Sequence, residues 1–310
     1  NTMETRKIII DTDPGIDDAA AISVMLSEPS LDVKLIASVS GNVGIEHTTH
    51  NALKLLTFLK KDVPVAKGAA APLLRDNRFA TNAHGKSGMG GFEFPEPNKE
   101  LLLKENAVLS EYRVLMESEE KVTILTLGPL TNIALLISTF PEVKEKIQEI
   151  VTMGGSTERG NIGIYGEFNV TIDPEAAKIV FRSGIPITMV GLDIGRKARL
   201  TVEDLEKLEE SGETGRMISS LFRSYDGGHV EEGVKMYDPS AAMYLIEPEL
   251  FETKDAFIDV EISSPLTMGA TAVDFDGTLS ETKNAAVCVD VDAERFRRRY
   301  VKRVADTECK

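Results

Sequence analysis

Short, strongly apolar runs alternate with helical patterns along most of this chain, and that alternation constrains the fold more than any other feature. Lys7–Ile10, Val33–Ser40, Val122–Leu127, Ile147–Met153 and Ile187–Val190 read as strands. Each is apolar at successive positions, so each needs cover on both faces, as in a parallel sheet. Helical patterns lie between or after them: Asp18–Ser27, Glu46–Leu59, Asn106–Glu117, Leu130–Thr139 and Pro174–Ser183. The order predicts an α/β fold, an open, mostly parallel, doubly wound sheet of Rossmann-like type. After Thr201 the pattern turns helical over Glu203–Ser211, Arg216–Ser224 and Pro239–Ile246. Three β-like runs then follow, Phe257–Ile262, Gly269–Val273 and Ala285–Val291, expected as antiparallel C-terminal additions. No Pro/Gly/Ser linker, charge block or repeat divides the chain, so a single domain over 4–310 is expected. Asn1–Met3 reads as an expression remnant and stays outside the fold argument. Pro72–Pro97 is polar and Gly-rich, and reads as a long loop over a site.

A net charge of −15 argues against nucleic acid or an anionic membrane as partner, because both require basic surfaces. The one basic run, Arg295–Lys302, reads as the solvated face of a C-terminal helix. No apolar run is long enough to span a bilayer, and no secretory pattern opens the sequence. Cys288 and Cys309 have neither disulfide-framework nor metal-type spacing. A cytoplasmic setting is expected.

The chemistry concentrates where the first strand ends. In Ile8–Ile9–Ile10–Asp11–Thr12–Asp13–Pro14–Gly15–Ile16–Asp17–Asp18, four carboxylates follow a buried run, broken only by a Pro-Gly turn. The carboxyl end of a strand is where ligands bind in an open α/β sheet. Acids crowded there repel one another unless a cation neutralises them. Carboxylate oxygens suit Ca²⁺ or Mg²⁺; zinc would call for His or Cys. The plainer alternative, one Asp capping a helix and the rest solvated, accounts for one such residue more easily than for four.

This segment resembles the signature of the inosine-uridine-preferring nucleoside hydrolase family. Further similarities follow in order: Gly41–Asn42, His84–Gly85, Leu127–Gly128–Pro129–Leu130–Thr131–Asn132, Met153–Gly154–Gly155, Glu167–Phe168–Asn169 and Asp238–Pro239. The resemblance implies hydrolysis of the N-glycosidic bond of a ribonucleoside to free base and ribose, in a homodimer or homotetramer. It implies a Ca²⁺ site made by Asp13, Asp18, the carbonyl of Leu127 and Asp238, with Asp13 as the base that activates a calcium-bound water. It also implies that Asp17, Asn161, Glu167 and Asn169 hold sugar hydroxyls, that Asn42 orients Asp13, and that Met153 and His84 line the substrate pocket. A non-catalytic nucleoside or sugar sensor on the same fold would lack the base or a metal ligand; Asp13, Asp18 and Asp238 are all present. Physical chemistry agrees, since glycosidic cleavage develops oxocarbenium character that a carboxylate-rich pocket stabilises.

Three places admit competing readings. Glu167 and Asn169 taken alone fit the solvent face of an edge strand. Asp173–Pro174–Glu175 reads as a helix N-cap, and Asp238–Pro239 shares that logic, so capping is expected as part of the role of Asp238. Val273–Asp274–Phe275–Asp276–Gly277–Thr278 resembles the opening motif of haloacid-dehalogenase-type phosphatases. Too little chain follows it for that fold, and a β-turn between two strands is expected instead. The sequence departs from the family at Tyr237, where the best-known members carry a His that protonates the leaving base. His229, on a helical face shared with Tyr225, is the expected proton donor, with Tyr225 contacting the base and Tyr237 packing or hydrogen-bonding. Purine against pyrimidine preference stays open.

Overall fold

The computed structural model describes residues 4–307. Among the described residues eleven strands form in chain order: β1 (Arg6–Thr12), β2 (Leu31–Ser38), β3 (Val65–Lys67), β4 (Val122–Thr126), β5 (Ile147–Met153), β6 (Ile187–Val190), β7 (Arg199–Leu200), β8 (Val234–Lys235), β9 (Phe251–Val260), β10 (Thr271–Asp274) and β11 (Ala285–Val291). The helices are α1 (Ile16–Ser27), α2 (Ile45–Leu59), α3 (Thr81–His84), α4 (Ala107–Glu117), α5 (Thr131–Thr139), α6 (Phe168–Ile172), α7 (Pro174–Phe181), α8 (Leu192–Lys197), α9 (Val202–Ser211), α10 (Glu213–Ser224), α11 (Tyr237–Ile246) and α12 (Ala293–Asp306).

Nine strands build one sheet in the order β10-β9-β11-β6-β5-β4-β1-β2-β3. The six-strand run β3-β2-β1-β4-β5-β6 is parallel throughout. Its order reverses between β1 and β4, the topological switch point at which α/β sheets bind ligands. The apolar run explains the layering. Ile8 and Ile10 pack into a core with α1, α2 and α8–α12, while Ile9 between them packs into a second core with α4, α5 and α7. Successive side chains on a strand face opposite ways, so an unbroken apolar run needs helices on both sides.

The C-terminal additions differ from expectation in one respect. β9 and β10 are antiparallel to their neighbours, but β11 lies parallel to β6 while pairing antiparallel with β9. β10 is therefore no neighbour of β11, and the segment between them is a long loop instead of a hairpin turn. α12 docks through Phe296, Tyr300 and Val304, buried at four-residue spacing, and the Tyr300 hydroxyl donates to the Ala20 carbonyl of α1 at 2.9 Å. Its basic outer face carries exposed Arg295, Arg298 and Lys302. Arg299 and Arg303 turn inward onto Glu247. Among the described residues no helix is long and apolar enough to cross a membrane. Cys288 is buried and free; Cys309 and Asn1–Met3 lie outside the described residues.

Candidate active site

Asp13 leaves the end of β1 and is fully buried. Its Oδ2 accepts the backbone N–H of Asn42 at 2.7 Å, and Oδ1 has no hydrogen-bond partner. Two glycines make room for it. A Cβ on Gly41 would lie 2.1 Å from Asp13 Oδ2, and one on Gly128 would lie 2.8 Å from Oδ1. The loops after β2 and β4 can close on this carboxylate only because those positions carry no side chain.

Pro14 and Gly15 turn the chain into α1, which carries Asp17 and Asp18 in its first turn, where the helix dipole favours acids. Asp18 Oδ2 accepts the Thr12 hydroxyl at 2.6 Å; its Oδ1 accepts the amide of Asn42 at 3.2 Å and the Gly15 N–H at 3.3 Å. Asn42 also donates to the Asp13 carbonyl at 3.0 Å, so one residue clamps both acids. Asp17 Oδ2 accepts the backbone N–H of Asp238 at 2.8 Å, while its Oδ1 is buried without a partner. That bond corrects the capping expectation for Asp238. The N-cap of α11 is Met236, Asp238 sits inside the first turn, and its N–H is taken by Asp17. Asp173, by contrast, caps α7 through the Ala176 N–H at 3.1 Å.

Asp13, Asp17, Asp18 and Asp238 are thus gathered out of water, and among the described residues none of them is paired with a Lys, Arg or His. Burial drives all four carboxyls above their ordinary range. Mutual repulsion adds to it at Asp13, Asp17 and Asp238. Buried acids at such spacing cannot all ionise without a counter-charge. An oxygen-seeking divalent cation fits this need, and Asp13 Oδ1 is buried with no hydrogen-bond partner to compete for it. Among the described residues no three His, Cys, Asp or Glu side chains stand as a finished metal cage, so the fit rests on donor chemistry.

Two of these acids, Asp17 and Asp238, line a cavity of about 160 Å³, together with Asn42, His84, Leu127, Met153, Asn161, Ile162, Glu167, Phe168, Asn169, Leu192, Tyr225 and Tyr237, with Ala80 and Ala83 also in its wall. Glu167 belongs to no strand. It caps α6, with its carboxylate accepting N–H groups from Gly155, Asn169 and Val170 at 2.9, 2.7 and 3.1 Å. Burial still lifts its carboxyl to about 7. The Asn169 amide donates to the carbonyls of Leu127 and Met153, both at 3.0 Å, which leaves its Oδ1 as the free polar atom. His84 is buried on α3, and its Nδ1 accepts the Ile16 N–H at 3.1 Å, so the ring proton resides on Nε2. Burial lowers this imidazole to about 4 and keeps it neutral. The segment that carries His84 does lie over the site as expected, held by Ala80 N–H to the Asn42 carbonyl and by Phe92 and Phe94 against Phe58.

A profile of the inosine-uridine preferring nucleoside hydrolases matches residues 8–298. The chain belongs to the nucleoside hydrolase family. The non-specific ribonucleoside hydrolase RihC of Salmonella newport is 47% identical over 290 residues, covering 94% of each chain. The RihC of Salmonella paratyphi A is 48% identical over 288 residues, covering 93% of this chain and 94% of the relative. Among solved structures, the purine-preferring ribonucleoside hydrolase from Gardnerella vaginalis superposes with a TM-score of 0.90 at 30% identity, over 97% of this chain and 99% of that one.

For this nucleoside hydrolase the structure rearranges the leaving-group candidates. α10 stops at Ser224, and Tyr225–Gly228 forms a tight 3₁₀ turn, so Tyr225 and His229 share no α-helical face. Tyr225 reaches the cavity and packs edge-on against His84, ring centroids 5.1 Å apart. His229 is exposed and outside the cavity lining, whereas Tyr237 lines it. His47 and His50 are exposed on α2, away from the site. Glu111 escaped the sequence reading, and Asn132, quoted there in a motif, was given no role. Glu111 of α4 is buried beside Asp11, and burial raises both carboxyls. The Asn132 amide joins Asp11 Oδ2 to the Ser38 carbonyl at 3.0 and 2.9 Å, fixing the ends of β1 and β2 below the pocket.

The phosphatase-like motif is a loop anchor. Asp274 accepts N–H groups from Asp276, Thr278, Leu279 and Ser280, at 3.1, 3.1, 2.6 and 3.3 Å. Those bonds hold its carboxyl down at about 2 against an ordinary 3.8. A depressed acid stabilises the fold above its unfolded pKa and loses that contribution as pH falls through the folded one. Asp274→Asn is therefore expected to lower Tm at neutral pH, the deficit shrinking between about pH 4 and 2. Nucleoside hydrolysis by that variant is expected to stay at the parental rate. Thermal melts across pH, paired with base-release assays, check both halves.

Proposed function

We propose that this chain hydrolyses the N-glycosidic bond of ribonucleosides, with Asp13 as the general base. The observation that carries the reading is the set of four buried carboxylates, two of which, Asp17 and Asp238, line a cavity whose other polar groups suit a sugar. Asp13, Asp18, Asp238 and the Leu127 carbonyl would hold a calcium ion. When bound, that ion supplies positive charge that lowers the pKa of the attacking water and anchors ribose hydroxyls.

The protein's own groups do the rest. Asn42 holds Asp13 from two sides, leaving Oδ1 free to take the water's proton. The orphaned Asp17 Oδ1 accepts one ribose hydroxyl, and Asn169 Oδ1 accepts another. Asn161 uses its Oδ1 on the Phe168 N–H at 2.9 Å, which leaves its amide N–H₂ to donate to the sugar. Glu167, near 7, can accept from or donate to a sugar hydroxyl at neutral pH. Fixing the ring at several hydroxyls orients the anomeric carbon toward the water, and the acidic wall stabilises positive charge developing on the sugar. A panel of purine and pyrimidine ribonucleosides assayed for free base tests the reading. Catalysed release from at least one is expected, and release from none would overturn it.

A further inference from the structure

The loop that brings Asn161 into the cavity wall is tied tightly to itself. Gly160 N–H donates to the Ile164 carbonyl at 2.7 Å, and the N–H groups of Asn161 and Ile162 both donate to the Gly166 carbonyl, at 2.8 and 2.9 Å. The loop closes this far only because position 160 has no side chain, since a Cβ there would collide with the Gly166 backbone. A glycine permits the close approach but leaves its own backbone free to rotate. The peptide just before Asn161 therefore needs a restraint from outside the loop.

α8 supplies it. The Arg196 guanidinium forks across two successive carbonyls, Nη1 donating to Arg159 and Nη2 to Gly160, each at 2.8 Å. The Gly160–Asn161 peptide is thereby held at both ends, its oxygen by Arg196 and its N–H by the Gly166 carbonyl. Asp193, one turn earlier on α8, accepts the Thr157 N–H at 2.8 Å and fixes where the loop begins. The Asn161 side chain is fixed in its turn. Its Oδ1 accepts the Phe168 N–H at 2.9 Å, so the amide N–H₂ is the group left for a ligand. Arg196 is not in the cavity wall, so whatever it does for a substrate it does through this loop.

We propose that Arg196 is a positioning residue for the sugar: by restraining the Gly160–Asn161 peptide it holds the Asn161 amide ready to donate to a ribose hydroxyl. This rests on the hydrolysis proposed above. A donor already aimed before the substrate arrives loses little conformational freedom on binding, and a ring held at one more point is aligned for attack more of the time. The planar fork of a guanidinium suits two adjacent carbonyls, and the single ammonium of a lysine does not match it.

The experiment uses whichever of uridine, cytidine, inosine and adenosine the parent cleaves best. Values of kcat and KM are measured for the full chain, Arg196→Met, Arg196→Lys, Asn161→Ala and the double variant Arg196→Met/Asn161→Ala, each with a thermal melt. Asn161→Ala is expected to lower kcat/KM by about 3- to 10-fold, the scale of one hydrogen bond. Arg196→Met should lose a similar factor, and Arg196→Lys, which keeps the charge without the fork, a smaller one. The double variant decides. If Arg196 acts through the Asn161 amide, removing it costs nothing further once that amide is gone, so the double variant should match Asn161→Ala within about 2-fold. A merely structural role would instead lower activity by the same factor in both backgrounds. Losses that multiply in the double variant, or parental kcat/KM in either single variant, Arg196→Met or Asn161→Ala, would overturn the assignment. Should Arg196→Met fail to fold, the same cycle built with Arg196→Lys decides. Failure of the parent to release base from any ribonucleoside would overturn the hydrolase reading itself, so the two failures are distinct.

Discussion

Asp13→Asn is expected to lower kcat by at least ~10²-fold, the usual scale for losing a positioned general base. The substitution keeps the size of the side chain, and its amide oxygen can still accept the Asn42 N–H that now reaches Oδ2. What it removes is the ability of the orphaned Oδ1 to take a proton. It also removes one negative charge from a set whose members repel one another, so the folded state is not expected to suffer. Activity and stability should therefore separate: a large kinetic loss with an unchanged or higher Tm in the absence of added metal. Steady-state kinetics beside a thermal melt reads both, and a near-parental kcat would remove Asp13 from the assigned role.

Asp18→Ala is expected to cost as much by a different route. Asp18 stands at the centre of the acidic set, bonded to Thr12, Gly15 and Asn42 and acting electrostatically on Asp13, Asp17 and Asp238. Without it the proposed calcium site loses a carboxylate, and the clamp that Asn42 makes across two acids loses one side. Loss of tightly bound calcium from the purified protein should accompany a fall in kcat/KM of at least ~10²-fold, in line with the several kcal/mol a metal supplies to charge stabilisation. Metal analysis of parent and variant, alongside kinetics, checks this. Full activity in a verified metal-free parent would contradict the calcium assignment.

Much of the fold could be read from the sequence because its parallel strands are buried on both faces. Ile8–Ile10 is apolar at every position, and the structure divides those residues between two cores. β5, β6 and β11 begin and end where their apolar runs do. The short strand β3 left no comparable trace, since Val65–Lys67 is too brief to show a period. The neighbour of β11 was hidden as well, because strand pairing depends on contacts between distant segments.

The acidic set was legible for a similar reason: Asp13, Asp17 and Asp18 crowd one strand–helix junction. Asp238 reaches them from the far end of the chain, and only the family resemblance placed it. The leaving-group side was not legible. His229 drew attention by residue type, yet the turn at Tyr225–Gly228 leaves it exposed. Gly195 carries no motif, and its close approach to the Tyr237 ring exists only once α8 packs against α11. Glu111 gave no signal either, since an acid in an amphipathic helix reads as solvent-facing until the fold buries it beside Asp11.

The most direct test of the central claim compares a ribonucleoside with its 2′-deoxy counterpart, for example uridine against 2′-deoxyuridine. The proposed pocket grips the ribose through Asp17, Asn161, Glu167 and Asn169, whatever base is attached. Deleting the 2′-hydroxyl leaves buried polar groups such as Asp17 Oδ1 without a partner, and a site built around a hydroxyl rejects its absence strongly. A kcat/KM at least ~10²-fold higher for the ribonucleoside is expected. Comparable values for the two would contradict the assignment of this acidic pocket to ribose.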